Sequence, residues 1–202
     1  MTAVVERCEL GAGLDISRVV NGLWQIADME RDGRTLDPEA AAAAMVPYVQ
    51  AGCTTFDMAD HYGSAEAIAG AFTTDAKRGR AQLLTKWVPK PGPVTREDVR
   101  AAVDRARQRL RREAIDLLQF HAWNFADPGW LDALWWLQEL KGEGLIRHLG
   151  LTNFDAAHLG IVLHSGIEVV SNQVCFSLLD RRPRRQLTDL CLAHGEIGRA
   201  HV

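Results

Sequence analysis

Four residues of this chain could share one piece of chemistry. Asp57 ends the apolar run 53–56, and Tyr62 follows in Asp57-Met-Ala-Asp-His-Tyr62-Gly63. A tyrosine ionises near ~10 in water, too high to exchange protons readily at neutral pH. A neighbouring ammonium stabilises the phenolate and lowers that value. Lys86 ends the next apolar run, Leu83-Leu84-Thr85-Lys86, and is the candidate cation, with Asp57 able to hold it charged and aimed. His121, one run further on, could hydrogen-bond a substrate oxygen. Together they make a general acid, a tuning cation, an orienting carboxylate and a polarising imidazole. Such a set suits the protonation of a developing alkoxide. Singly, each has an ordinary use: Asp57 as a cap, Tyr62 as packing, Lys86 as a solvated charge, His121 as a structural imidazole. Their order along the chain gives the set its weight.

The elements that must position them follow from two alternating kinds of segment. Short apolar, β-rich runs cover 18–22, 53–56, 82–85, 115–120, 146–151 and 168–172. Helical patterns lie between them at 38–51, 64–72, 95–112, 127–141, 155–164 and 183–194. Asp37 with Pro38 starts the first of these well, Thr95 with acids behind it starts the third, and Gly142 is the expected stop of the fourth. Strands alternating with helices at this spacing imply a parallel sheet. A doubly wound sheet and a (β/α)8 barrel both satisfy that much. The polar residues discriminate, because Asp57, Lys86, His121, Thr152 with Asn153, and Asn172 with Gln173 recur at consecutive strand exits. A TIM-type barrel carries its active site there, whereas a doubly wound sheet gathers ligands at one switch point. Ahead of the first unit, 4–10 and 14–17 flank Gly11-Ala-Gly13 and read as a β-hairpin that could cap the bottom of the barrel.

These blocks, Asp57-x-Ala-x-x-Tyr62-Gly63, Thr85-Lys86, Leu117-Leu-Gln-Phe-His121, Gly150-Leu-Thr-Asn153-Phe and Asn172-Gln173, together resemble the aldo-keto reductase superfamily. The ordered set carries the resemblance, which spans about residues 15 to 180. It implies an α/β TIM-type (β/α)8 barrel that reduces an aldehyde or ketone to an alcohol with NADPH, becoming NADP, by direct hydride transfer. Asp57, Tyr62, Lys86 and His121 then fall on the family's tetrad, with Tyr62 as proton donor. Thr152, Asn153 and Gln173, with Asp57, fall on positions that hold the nicotinamide, and Thr152 keeps the hydroxyl of the serine that family members commonly carry. Trp24, in Gly22-Leu-Trp24, and Trp87 and Trp123 follow three different strands and are expected to wall a substrate pocket. A non-catalytic relative serving as a binding or regulatory subunit, like the channel β-subunit branch, is the alternative.

Composition agrees with a soluble globular chain: 202 residues, 47% hydrophobic, 24% charged, net charge −3. That balance gives no electrostatic footprint for nucleic acid, and no apolar run reaches the ~18 residues of a membrane span. The four cysteines lack a C-x-x-C pair, and the histidines offer no metal-binding spacing, so a reduced, cytoplasmic protein without a metal is expected. His61 belongs with the histidines expected to be structural or at the surface. A complete barrel of this kind runs to ~250 residues. About six βα units are therefore expected here, within a truncated domain 1–195. Ile197-Gly-Arg-Ala-His-Val202 resembles the translation of a common sequencing adapter, so 196–202 is expected to be a non-native tail without a strand. The family's phosphate-binding loops would lie beyond it, so the 202 residues alone are expected to show no turnover.

Overall fold

The computed structural model describes residues 5–74, 79–90, 92–194 and 197–201. Residues 195, 196 and 202, which belong to the domain end and tail expected above, lie outside the described residues, as does Val4 at the start of the expected hairpin.

The chain opens on an antiparallel hairpin, β1 (Arg7–Gly11) and β2 (Leu14–Ser17), joined through Gly13 at φ +75°. Six βα units follow. The first contains β3 (Asn21–Gly22), α1 (Trp24–Met29), α2 (Pro38–Ala42), a short 3-10 turn (Ala43–Met45) and α3 (Val46–Gln50). The others pair β4 (Thr55–Asp57) with α4 (Ala65–Thr74), β5 (Gln82–Trp87) with α5 (Arg96–Leu110), and β6 (Ile115–Phe120) with α6 (Gly129–Gly142). The series ends with β7 (Ile146–Thr152), α7 (Ala156–His164), β8 (Ser171–Cys175) and α8 (Gln186–Ala193). A further strand, β9 (Ile197–His201), lies beside β8.

All neighbours from β3 to β9 are parallel and stand in strict sequence order. A doubly wound sheet reverses its order at a switch point; this one never does, and it follows the wall of a TIM-type barrel. The strand in 197–201 departs from the expectation of a strandless tail. Without this strand the edge of β8 would offer a row of unpaired backbone N–H and C=O groups, and such an edge recruits main chain whatever its side chains.

Two other departures have local causes. The single helix expected over 38–51 is broken by the 3-10 turn, and Pro47 lies in the first turn of α3, where its missing N–H is harmless. Helix α6 passes through Gly142, and Gly144, at φ +82°, makes the left-handed turn after it. Elsewhere the expected caps form, with Asp37 accepting from the Glu39 N–H and Thr95 and Asp98 making a capping box; Asp155 likewise accepts from the His158 N–H.

Side chains alternate across the sheet. The outward set, including Phe56, Leu83, Leu118, Phe120, Leu149 and Leu151, packs under the helices in the main core with Ile68, Phe72, Val103 and Leu137. The inward set is apolar near the strand starts, where Leu84 and Leu117 meet Leu10, Leu14 and Ile16 of the hairpin. The hairpin thus caps one end of the barrel interior. At the other end the inward residues are polar. Among the described residues no helix is long and apolar enough to cross a membrane, and no cluster of three or more His, Cys, Asp or Glu could hold a metal.

Candidate active site

The polar inward residues converge on Asp57. Its carboxylate ends β4, buried, and receives Lys86 Nζ at 2.5 Å on Oδ2. The Gln119 amide donates to Oδ1 at 3.0 Å, and the Gln173 amide to Oδ2 at 3.3 Å. Side chains from β5, β6 and β8 therefore meet on one residue of β4. Lys86 also donates to the Met58 carbonyl at 3.1 Å. A buried ion pair costs desolvation, which further hydrogen bonds must offset; the two amides and the carbonyl are those bonds. The residue type of Gln119 carries no signal of its own; the register places it directly beside Lys86.

Tyr62 sits in the loop after β4, half-buried, with its ring centroid 5.7 Å from Lys86 Nζ. The phenol is pushed up to about 12, first by burial and then by the charges of Asp57 and Asp60. This is opposite to the lowering expected from Lys86. The ammonium is held by Asp57, so its charge reaches the ring already compensated, and the carboxylates add repulsion to the phenolate. The phenol is accordingly held in its protonated form.

His121 follows β6, its backbone N–H bonded to the Trp87 carbonyl at 3.0 Å. A chain of ring contacts runs along the mouth: Trp24 on Tyr62 at 4.8 Å, Tyr62 on His61 at 4.8 Å, His61 on Trp123 at 6.4 Å, and Trp123 on His121 at 5.6 Å. Trp24 and Trp123 are 45% and 60% exposed, as residues lining an open mouth would be. His61, expected at the surface or in a structural role, stands between them. Trp87 is placed differently. It is the neighbour of inward Lys86 on the strand, so it points outward and packs on Phe120 at 5.6 Å in the core.

On the far side of Asp57, Thr152 at the end of β7 and Gln173 in the middle of β8 are in-register neighbours. Both are buried, and among the described residues Thr152 Oγ1 and Gln173 Oε1 have no hydrogen-bond partner. Buried polar atoms are nearly always paired, so these two adjacent oxygens are groups that a ligand at the mouth could satisfy. Asn153 is exposed, and its backbone turns left-handed, φ +59°. Asn172, on the outward face, holds that turn by accepting from the Phe154 N–H at 3.3 Å and donating to its carbonyl at 2.8 Å.

The Aldo/keto reductase family model matches residues 18–198. The chain belongs to the aldo/keto reductase family. It is 28% identical over 203 residues to the NADH-specific methylglyoxal reductase of Escherichia coli K12, covering 90% of this chain and 62% of that protein. It is 30% identical over 167 residues to a 6-dehydroglucose reductase of Novosphingobium aromaticivorans, covering 76% and 53%. A crystal structure of a thermostable aldo-keto reductase in complex with the inhibitor epalrestat superposes with a TM-score of 0.80 at 28% identity, covering 96% of this chain and 71% of that one. The chain spans less than two thirds of the length of these two curated relatives.

Proposed function

We propose that the protein of which this chain forms the barrel wall reduces an aldehyde or ketone to an alcohol with a nicotinamide dinucleotide, Tyr62 giving the proton. The carrying observation is a protonated, half-buried Tyr62 beside the buried Asp57–Lys86 pair at the strand exits. The orphaned oxygens of Thr152 and Gln173 fit the carboxamide of a nicotinamide, which offers both N–H donors and a carbonyl acceptor. When bound, the dinucleotide would supply the hydride. Every other task falls to this chain. Tyr62 Oη holds the proton for the alkoxide, and His121 donates a hydrogen bond that orients and polarises the carbonyl oxygen. Lys86 keeps a positive charge beside the developing anion, and Asp57 keeps Lys86 in place. Preorganised groups of this kind supply most of the barrier reduction in such reactions. Trp24, His61 and Trp123 present ring faces to the substrate.

The resemblance favours NADPH, so NADPH and NADH should be compared by fluorescence titration. The titration is run first with this chain, then with a chimera in which a relative's C-terminal part follows residue 194. A chimera that consumes cofactor with a generic aldehyde, and stops when Tyr62→Phe is introduced although it still binds cofactor, supports the reading. Unchanged turnover in Tyr62→Phe would sink it. Cofactor binding with no turnover in the unsubstituted chimera would favour a regulatory subunit.

A further inference from the structure

Helix α1 has six residues, no fully buried side chain and no side-chain N-cap. It nevertheless touches the loop of Tyr62 at both ends. At its start the Trp24 ring meets Tyr62 edge-on, the ring planes 86° apart. At its end the Glu30 carboxylate accepts three bonds: from the Ser64 hydroxyl at 2.6 Å, the Ser64 N–H at 2.8 Å and the Leu36 N–H at 3.1 Å. Between Tyr62 and Ser64, Gly63 turns left-handed at φ +53°, and a Cβ there would come within 2.1 Å of Glu30 Oε2. The backbone of the loop and this carboxylate are thus in close contact.

We infer that Glu30 is a positioning residue for Tyr62, a clamp that fixes the loop and seats the phenol between Trp24 and Lys86. The inference rests on the reading of Tyr62 as proton donor, since only then does the seat matter to the reaction. Short-range backbone bonds, Tyr62 N–H to the Ala59 carbonyl and Ala65 N–H to the Tyr62 carbonyl, shape the turn from within. Glu30 ties that turn to a second element, 34 positions away in sequence. Charged acceptors make the stronger hydrogen bonds, so three on one carboxylate form a stiff tie. Hydrogen bonding, first from the Ser64 hydroxyl, holds the Glu30 carboxyl below its ordinary range, as expected for a carboxylate in use as an acceptor. Proton transfer needs its donor within hydrogen-bond reach of the reacting oxygen, so a loosened Tyr62 would slow the chemical step more than substrate binding.

The test uses this chain, with Glu30→Ala, the milder Glu30→Gln, and Asp28→Asn as a control on the same helix. Amide exchange at Ser64, the Trp24–Tyr62 ring contact and the Tyr62 ionisation midpoint are read by NMR. Glu30→Ala should speed Ser64 exchange by about tenfold, with Glu30→Gln intermediate. It should weaken the ring contact and bring the Tyr62 midpoint down from about 12 as the phenol gains water. Asp28→Asn should change none of these. Unchanged Ser64 exchange and Tyr62 midpoint in Glu30→Ala would overturn the inference. So would general unfolding of both Glu30 variants, because Glu30 would then support the whole fold. None of these readings depends on turnover, so a reductase test that fails at Tyr62→Phe is distinguishable from failure of the clamp.

Discussion

Lys86 of β5 and Asp57 of β4 form a buried ion pair at 2.5 Å, in the rim of polar residues just above the apolar plug contributed by the hairpin. Removing one member of a buried pair costs far more than removing both. Asp57→Asn should therefore lower stability by about 3 kcal/mol. Asp57→Asn combined with Lys86→Met should recover much of that loss. Urea unfolding of the two variants and the parent checks it. Additive losses in the double variant would mean that the two residues act independently.

Thr152 offers a test with opposite signs in two assays. Its hydroxyl is buried without a partner, a cost that valine of nearly the same shape removes. Thr152→Val should raise stability by about 1 kcal/mol. The same substitution should weaken nicotinamide binding, with Thr152→Ser close to the parent in both. Thermal melts and cofactor fluorescence read the pair. A destabilised Thr152→Val would show that the hydroxyl already has a use within the protein.

The turn after β7 depends on a residue that accepts a left-handed backbone. For most L-residues that conformation costs about 1 kcal/mol or more, less for Asn and nothing for Gly. Asn153→Ala should accordingly destabilise the chain by about 1 kcal/mol, and Asn153→Gly much less. Denaturant midpoints of the two variants decide. Equal losses would place the contribution of Asn153 in its side chain.

Acid should weaken the clamp on the Tyr62 loop. The folded-state pKa of Glu30 is lowered, so its contribution is present above the unfolded value of about 4.3 and disappears as pH falls through the folded value. Glu30→Gln should reduce the melting temperature at pH ~6, and the gap to the parent should shrink by pH ~3. A gap independent of pH would remove the ionised carboxylate from the account.

Much of the barrel was legible because its signals are local. Asp37 and Thr95 announce helix starts, and the polar residues after each apolar run announce the working face. What escaped depends on neighbours that the chain does not name. Gln119 is one polar letter in an apolar strand, and its importance comes from the register that sets it beside Lys86. Helix α1 is short and buries nothing fully, so no periodic pattern betrays it. Trp87 could have been placed, since parity with Lys86 sends it outward. The rise in the Tyr62 pKa could not, because it depends on burial and on how far Asp57 compensates Lys86.

One consequence of the hydrogen bonding around Asp57 remains. Three strands, β5, β6 and β8, deliver side chains to that single carboxylate of β4. The neighbourhood of Tyr62 and the cohesion of the wall are here the same set of bonds. Under the proposed function, mutational drift at these positions is therefore screened twice, once by chemistry and once by folding yield. A library of variants sorted only for soluble expression should come out depleted at Asp57, Lys86, Gln119 and Gln173, before any substrate is added.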